Sequence, residues 1–203
     1  MAGPSNWWRE SHHRYGHQSL FVKGSGSICP KGGVEEAIEF REESAEALPF
    51  PVSSFDITWS ITVIEEVDAN QMLAEMVRVT KPGGRVAVAA RAIDLPFLMN
   101  LPLSLELKVK VEAPFGSIAE RGCADASLYQ RFHQAGLNQV KMFPKWSTFD
   151  RSDKFVVQYM QAGALSQLDR EEAGQWHTAR SQAEAEGTFF MAWPHHWAAG
   201  TKS

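Results

Sequence analysis

The run Lys81-Pro-Gly-Gly84 followed by Val86-Ala-Val-Ala-Ala90 limits most strongly what this chain can fold into. Five apolar residues without alternation mark a strand covered on both faces. The proline and the paired glycines end the helix before it. That helix is legible in turn. Asp68 suits an N-cap, Gln71 stands three positions on as in a capping box, and Leu73, Met76, Val77 and Val79 form one apolar stripe. Ahead of it, Phe55-Asp-Ile-Thr-Trp-Ser60 is rich in β-branched and aromatic residues and reads as a buried strand. Strand, helix, strand is the rhythm of an α/β sheet, so α/β is the predicted class.

The rest of the chain follows the same grammar. Ile38–Arg41 alternates as a short strand. Residues 92–122 look irregular, with prolines at 96, 102 and 114. A helix is predicted from Ala126 to Ala135, capped by Asp125 and ended by Gly136, then a strand from Asn138 to Trp146. Lys154–Leu165 and Arg170–Ala185 read as helices, and Gly187–Trp193 as a last strand. Residues 1–33 carry net charge +3 and little periodicity, whereas 34–80 carry −9. This break defines a poorly ordered arm over 1–33 and an α/β domain over 34–203.

A length of 203 residues is one domain's worth. The net charge of −4 argues against a nucleic-acid partner, which needs a basic face. No stretch approaches the roughly 18–20 apolar residues of a membrane span, so no membrane partner is expected. The N-terminus lacks the apolar core of a secretory signal. Cys29 and Cys123 are too few for a disulfide framework, which makes a reducing cytoplasm the default compartment.

Several motifs together resemble one family. Ile38 to Pro51, with its Glu46-Ala-Leu-Pro-Phe50, is followed by Ser54-Phe-Asp56; Met76 to Arg85 ends in Lys-Pro-Gly-Gly-Arg; and Gly187 to Ala192 precedes His195-His196. In this order and spacing they resemble the middle and end of class I S-adenosylmethionine-dependent methyltransferases, the small-molecule "type 11" group. The resemblance implies a partial Rossmann-like sheet with flanking helices. It implies S-adenosylmethionine as cofactor and a small-molecule substrate as methyl acceptor. It places Ser44, Ala45 and Glu46 beside the adenine, and Ser60, Ile61 and Thr62 beside the methionine part. Ligands of such folds sit beyond the carboxyl ends of the strands. At Ser44 the family has an acid, and Glu65-Glu66 stands where it has Glu-His. No catalytic side chain is assigned.

The family's opening block of strand, Gly-x-Gly-x-Gly and helix is not found. Lys23-Gly-Ser-Gly-Ser27 only echoes it, because 14 positions separate Gly24 from Ile38, fewer than the roughly 30 residues of one βαβ unit. The resemblance implies a sheet order of 3-2-1-4-5-7-6, with Ile38–Arg41 as strand 3 and Phe55–Ser60 as strand 4. Without strands 1 and 2, strand 4 has an open edge, which invites another strand. Three resolutions stand open: Leu20–Val22 fills the gap, the chain forms a homodimer through the edge, or the sequence is part of a longer gene. The alternative function is a non-catalytic methyltransferase remnant serving as a binding or oligomerisation module.

Other features are read plainly. His195 and His196 are expected as exposed loop histidines rather than as residues facing an acceptor. Residues 92–116 are read equally as a lid or as a connection packed on the sheet. His12, His13 and His17 are read as a solvated tail rather than a metal site, since no carboxylate or thiol partner is near. Trp7-Trp8-Arg9 and Arg14-Tyr15 have too few basic neighbours to bind single-stranded nucleic acid. Both cysteines are read as inert.

Overall fold

A computed structural model describes residues 19–20, 41–150 and 152–203 of the chain. Most of the arm expected over 1–33, the strand expected from Ile38, and the His12–His17 group lie outside the described residues. Two short strands come first, β1 (Ser19–Leu20) and β2 (Glu43–Ser44), paired antiparallel with Leu20 opposite Glu43. Ser19–Leu20 therefore pairs β2, not the edge it was one candidate to fill.

The larger sheet begins with β3 (Phe55–Ile61), helix α1 (Ala69–Val79) and β4 (Thr80–Arg91). β3 and β4 are parallel, with Thr58 opposite Val86 and Ser60 opposite Val88. Asp68 caps α1 by accepting from the N–H groups of Asn70 and Gln71. Gln71 does not return the bond as a capping box would, because its side chain donates to the Glu46 carbonyl. The Lys-Pro-Gly-Gly turn has two separate needs for glycine. Gly83 sits at φ +77, and a Cβ on Gly84 would lie 2.7 Å from the Asp56 carbonyl oxygen.

The segment 92–116 is a packed connection. It holds β5 (Leu98–Met99) and α2 (Leu105–Val111), both missing from the sequence reading. Helix α3 (Ser127–Gln134) and strand β6 (Leu137–Phe149) follow, then α4 (Lys154–Leu165) and α5 (Arg170–Glu186) at the expected positions. The last strand, β7 (Met191–Lys202), starts later and runs further than expected. Thr188 and Phe189 still donate to the Ala183 carbonyl at the end of α5, which holds the chain out of the sheet until Met191.

The sheet order is β3-β4-β7-β6, with β5 extending the β4 side of β7 and β7 antiparallel to its neighbours. This α/β arrangement is the 4-5-7-6 half of the sheet that the resemblance implied. β3 was expected to be buried. It is an edge instead, with Ile57 66% and Trp59 68% exposed, because no described strand lies on its outer side.

Two cores flank the sheet. α1 and α3 pack Leu73, Met76, Leu128 and Phe132 against Val86, Val88 and Ala198. At the other end, Trp176 and Met160 pack with Phe97, Val111 and Met191. A Cβ on Gly163 would lie 2.2 Å from the Phe115 ring, so glycine lets α4 close on that ring. Arg78 fastens the 48–50 segment along α1, donating to the carbonyls of Leu48 and Phe50 at 2.8 Å each while pairing with Glu75.

Glu65 joins the loop after β3 to the end of β4. Its fully buried carboxylate accepts the Arg91 N–H at 2.6 Å and the Arg91 Nε at 3.2 Å. Arg91 also pairs with Glu66. Burial raises the Glu65 carboxyl above its ordinary 4.5, outweighing these stabilising contacts. A carboxyl raised in the folded state holds its proton more tightly folded than unfolded. Its contribution to stability therefore declines as pH rises from 4.5 through the raised value.

Two outcomes follow for urea unfolding. Trp176→Ala removes a fully buried ring and should cost about 3–5 kcal/mol. The stability of the wild type minus that of Glu65→Gln should fall as pH rises above 4.5, because other titrating groups act on both alike; a difference independent of pH would contradict the assignment to Glu65.

Candidate functional site

Because β3 and β4 are parallel and β7 runs against them, three chain segments meet at one end of the sheet. Ser60, Ile61 and Thr62 end β3, Arg91 ends β4, and His195–His196 lie near the start of β7. In an open α/β sheet this carboxyl end is where ligands bind.

The first candidate group, Ser44–Glu46, forms the turn leaving β2. The Ser44 hydroxyl accepts the Glu46 N–H at 3.2 Å, and its carbonyl accepts the Ala47 N–H at 3.2 Å. Ala45 packs against the α1 core. Glu46 reaches away from the turn, its carboxylate accepting the Asp68 N–H at 2.6 Å. Asp68 closes the loop that follows β3. The two candidate groups therefore belong to segments that this bond ties together, reinforced by Gln71 on the Glu46 carbonyl at 3.3 Å.

The second group is mixed in character. The Ser60 hydroxyl is buried without a partner, turned into the same face as Thr58, whose hydroxyl pairs with that of Thr80 at 2.8 Å. Ile61 is 44% exposed. Thr62 is exposed, takes φ 51 and donates its N–H to the Ala89 carbonyl at 2.8 Å. A positive φ at a β-branched residue is an outlier, and such strain collects at functional turns.

The two histidines are not exposed loop residues. Both belong to β7, and His196 is 5% exposed, with Nε2 2.7 Å from the Asp94 carboxylate. The other oxygen of Asp94 accepts the Ala126 N–H at the start of α3. Nε2 is taken by Asp94 and Nδ1 is buried, so the ring exposes no nitrogen to a substrate and serves as a latch. His195 is held by the Trp193 carbonyl at 3.2 Å, and burial, with Arg91 adding to it, lowers its pKa below the ordinary value. Sequence reasoning missed Asp94 and Arg91. Asp94 pairs across 102 positions, and no local pattern announces such a contact.

Near these residues Phe97, Phe115, Tyr159 and Trp193 pack ring on ring, Tyr159 and Trp193 stacked at 5.4 Å. The apolar recess beside them, between Ile93, Pro114 and Trp193, has room for about one water, far less than a ligand pocket needs. Among the described residues no cluster of three or more His, Cys, Asp or Glu could hold a metal ion. No described helix is long and apolar enough to cross a membrane.

Residues 23–88 match the methyltransferase domain family. Over 125 residues the chain is 34% identical to the ubiquinone/menaquinone biosynthesis C-methyltransferase UbiE of Hahella chejuensis, covering 55% of this chain and 50% of that protein. Over 127 residues it is 37% identical to the malonyl-acyl-carrier-protein O-methyltransferase of Erwinia billingiae, covering 60% and 51%. The chain thus spans about half the length of these curated relatives. Among solved structures, the YcgJ protein of Bacillus subtilis is similar at 15% identity and a TM-score of 0.46, over 83% of this chain and 74% of that one. Over the matched stretches the chain is similar to methyltransferases, both in the family model and in these curated relatives.

Proposed function

We propose that the chain transfers a methyl group from S-adenosylmethionine to a small-molecule acceptor in the cytoplasm. The cofactor would lie across Ser44, Ala45 and Glu46 on one side and Ser60, Ile61 and Thr62 on the other. The observation that carries this reading is the 2.6 Å bond from Asp68 to Glu46, which draws the two segments together at the carboxyl end of the sheet. The residues present fit such a ligand through exposed Thr62 and the turn at Ser44, while the Glu46 carboxylate is committed to the loop. The family match also opens at Lys23, three residues beyond Leu20.

When bound, the cofactor supplies an already activated methyl group. The chain's own work is then orientation. The Glu46–Asp68 bond fixes one segment on the other, and the Glu65–Arg91 pair fixes the loop after β3 on the end of β4. Holding two reactants in line is worth much of a bimolecular barrier.

A second reading, a non-catalytic remnant, is favoured by the open edge of β3, which leaves one wall of the cleft to be supplied. Calorimetric titration with S-adenosylmethionine separates the two. Binding is expected at least about 100-fold weaker than in a full-length relative, since Ser44 stands where the resemblance implies an acid and the glycine block is not found, and each hydrogen bond to a charged group is worth ~1–3 kcal/mol. No heat up to millimolar ligand, from a chain shown to be folded, would establish the remnant reading instead.

A further inference from the structure

We propose that His195 takes the proton from a methyl acceptor that reacts through a weakly acidic hydroxyl, with Arg91 beside it to hold the charge that forms on the oxygen. This rests on the cofactor placement proposed above and adds the class of the acceptor's reacting group. The tautomer of the ring comes first. Nδ1 of His195 stands 3.2 Å from the Trp193 carbonyl and 3.4 Å from the Ser147 hydroxyl. A carbonyl oxygen only accepts, so Nδ1 carries the hydrogen, and the lone pair of the neutral ring lies on Nε2. Nε2 has no hydrogen-bond partner among the described residues and, unlike Nδ1 of His196, is not buried. The backbone of β7 thus holds one imidazole with its basic nitrogen unclaimed.

Its place in the sheet is set by register. His195 faces Arg91 across the β4–β7 ladder. Val88 and Ala198 of the same ladder belong to the core under α1 and α3, so alternation puts His195 and Arg91 on the other face. Ile61 shares that face through its pairing with Ala89. Two strand spacings, ~10 Å, separate His195 from the end of β3. Arg91 stands between them. Glu65 takes its Nε and Glu66 its Nη2, and Nη1 has no hydrogen-bond partner among the described residues. Nη1 and the Tyr159 hydroxyl each lie 3.7 Å from the point that a Cβ on Gly116 would occupy, and Gly116 is exposed. Glycine there leaves both donors within reach of a ligand.

The charges around the ring favour its neutral form. Arg91 faces it from β4 and Lys145 from β6, while Glu65 and Glu66 are engaged with Arg91, which Tyr159 approaches from α4. Burial lowers the His195 pKa below the ordinary 6.5, with Arg91 adding to the shift and the Trp193 carbonyl opposing it, so the ring is a free base at neutral pH. An amine acceptor would attack with its own lone pair and need no such base. A hydroxyl does need one. As its O–H bond breaks, the proton passes to Nε2 and the electron pair forms the bond to the methyl carbon, with the pair of the broken S–C bond left on sulfur. The positive charge of the sulfonium thus ends on the imidazolium, which its lowered pKa readies to return the proton to water.

Two measurements read the proposal. Nitrogen-15 spectra of the histidine rings, taken on the wild type without cofactor, should show His195 as the Nδ1–H tautomer with a titration midpoint below 6.5. The Nε2–H tautomer, or a midpoint above 6.5, overturns it. The second measurement compares methyl transfer from S-adenosylmethionine to phenol and to thiophenol at mildly alkaline pH, where thiophenol is already ionised and phenol is not. His195→Gln should slow transfer to phenol about 100-fold and leave transfer to thiophenol unchanged. Equal losses on both probes would show a structural role and overturn the proposal, as would no loss on phenol. A wild type that binds the cofactor in calorimetry but methylates thiophenol alone, or neither probe, also overturns it while the cofactor reading stands. A folded chain that binds no cofactor overturns that reading, and the proposal with it.

Discussion

Every strand of the large sheet except β3 is hydrogen-bonded to β7. Ala198 of β7 lies in the core under α1 and α3, and Met191 in the core under α4 and α5. One twelve-residue strand therefore makes one body of two apolar clusters. Pro194 sits in the middle of this strand and lacks an N–H. It is tolerated because β4 ends opposite His195 and β5 begins opposite Ala192, so the missing donor faces the gap between them. Its carbonyl still accepts from Ala92 at 3.0 Å, tying the exit of β4 to the same point.

From this anchor the carboxyl end is built by paired charges. Asp94 locks His196 on β7 to the start of α3, and Glu65 with Glu66 locks Arg91 on β4 to the loop after β3. Burying a charge is costly unless it is paired and hydrogen-bonded; each of these groups is paired through one atom, while Glu65 Oε2 and His196 Nδ1 stay buried without a partner. Burial works against the Arg91 charge, yet Glu65 and Glu66 hold its pKa above the ordinary range. This end of the sheet is thus rigid on the β4–β7 side. On the β3 side it depends on the reach of Glu46 to Asp68, reinforced by Gln71 on the Glu46 carbonyl.

What the sequence made legible follows from which forces are local. Capping by Asp68, the glycines that end the helix and the apolar stripe of α1 act within a few residues, and α1, α3, α4, α5 and β3 were read close to their ends, whereas β4 starts at Thr80, six residues before the expected Val86. β7 was misjudged because Thr188 and Phe189 look like strand, while their N–H groups donate to Ala183 at the end of α5. α2 went unread because Pro102 and Pro114 around it suggested an irregular stretch, although Ser104 caps it by accepting the Leu107 N–H. Of the candidate site, the motif placed Ser44–Glu46 and Ser60–Thr62 on their segments. The bond joining those segments, and the acids that hold Arg91 and His196, are long-range contacts that no spacing encodes.

The open edge and the cofactor reading bear on the same residues. Ile61 turns its backbone outwards at the point where β3 delivers Thr62 to the carboxyl end. In the sheet order that the resemblance implies, strand 1 lies beside that edge and forms one wall of the cleft. No described strand lies there. The walls that the described residues give the candidate site therefore come from β4 and β7 on one side and from the turn at Ser44 on the other, and the group that stands next to Thr62 is set by whatever pairs the outer edge of β3.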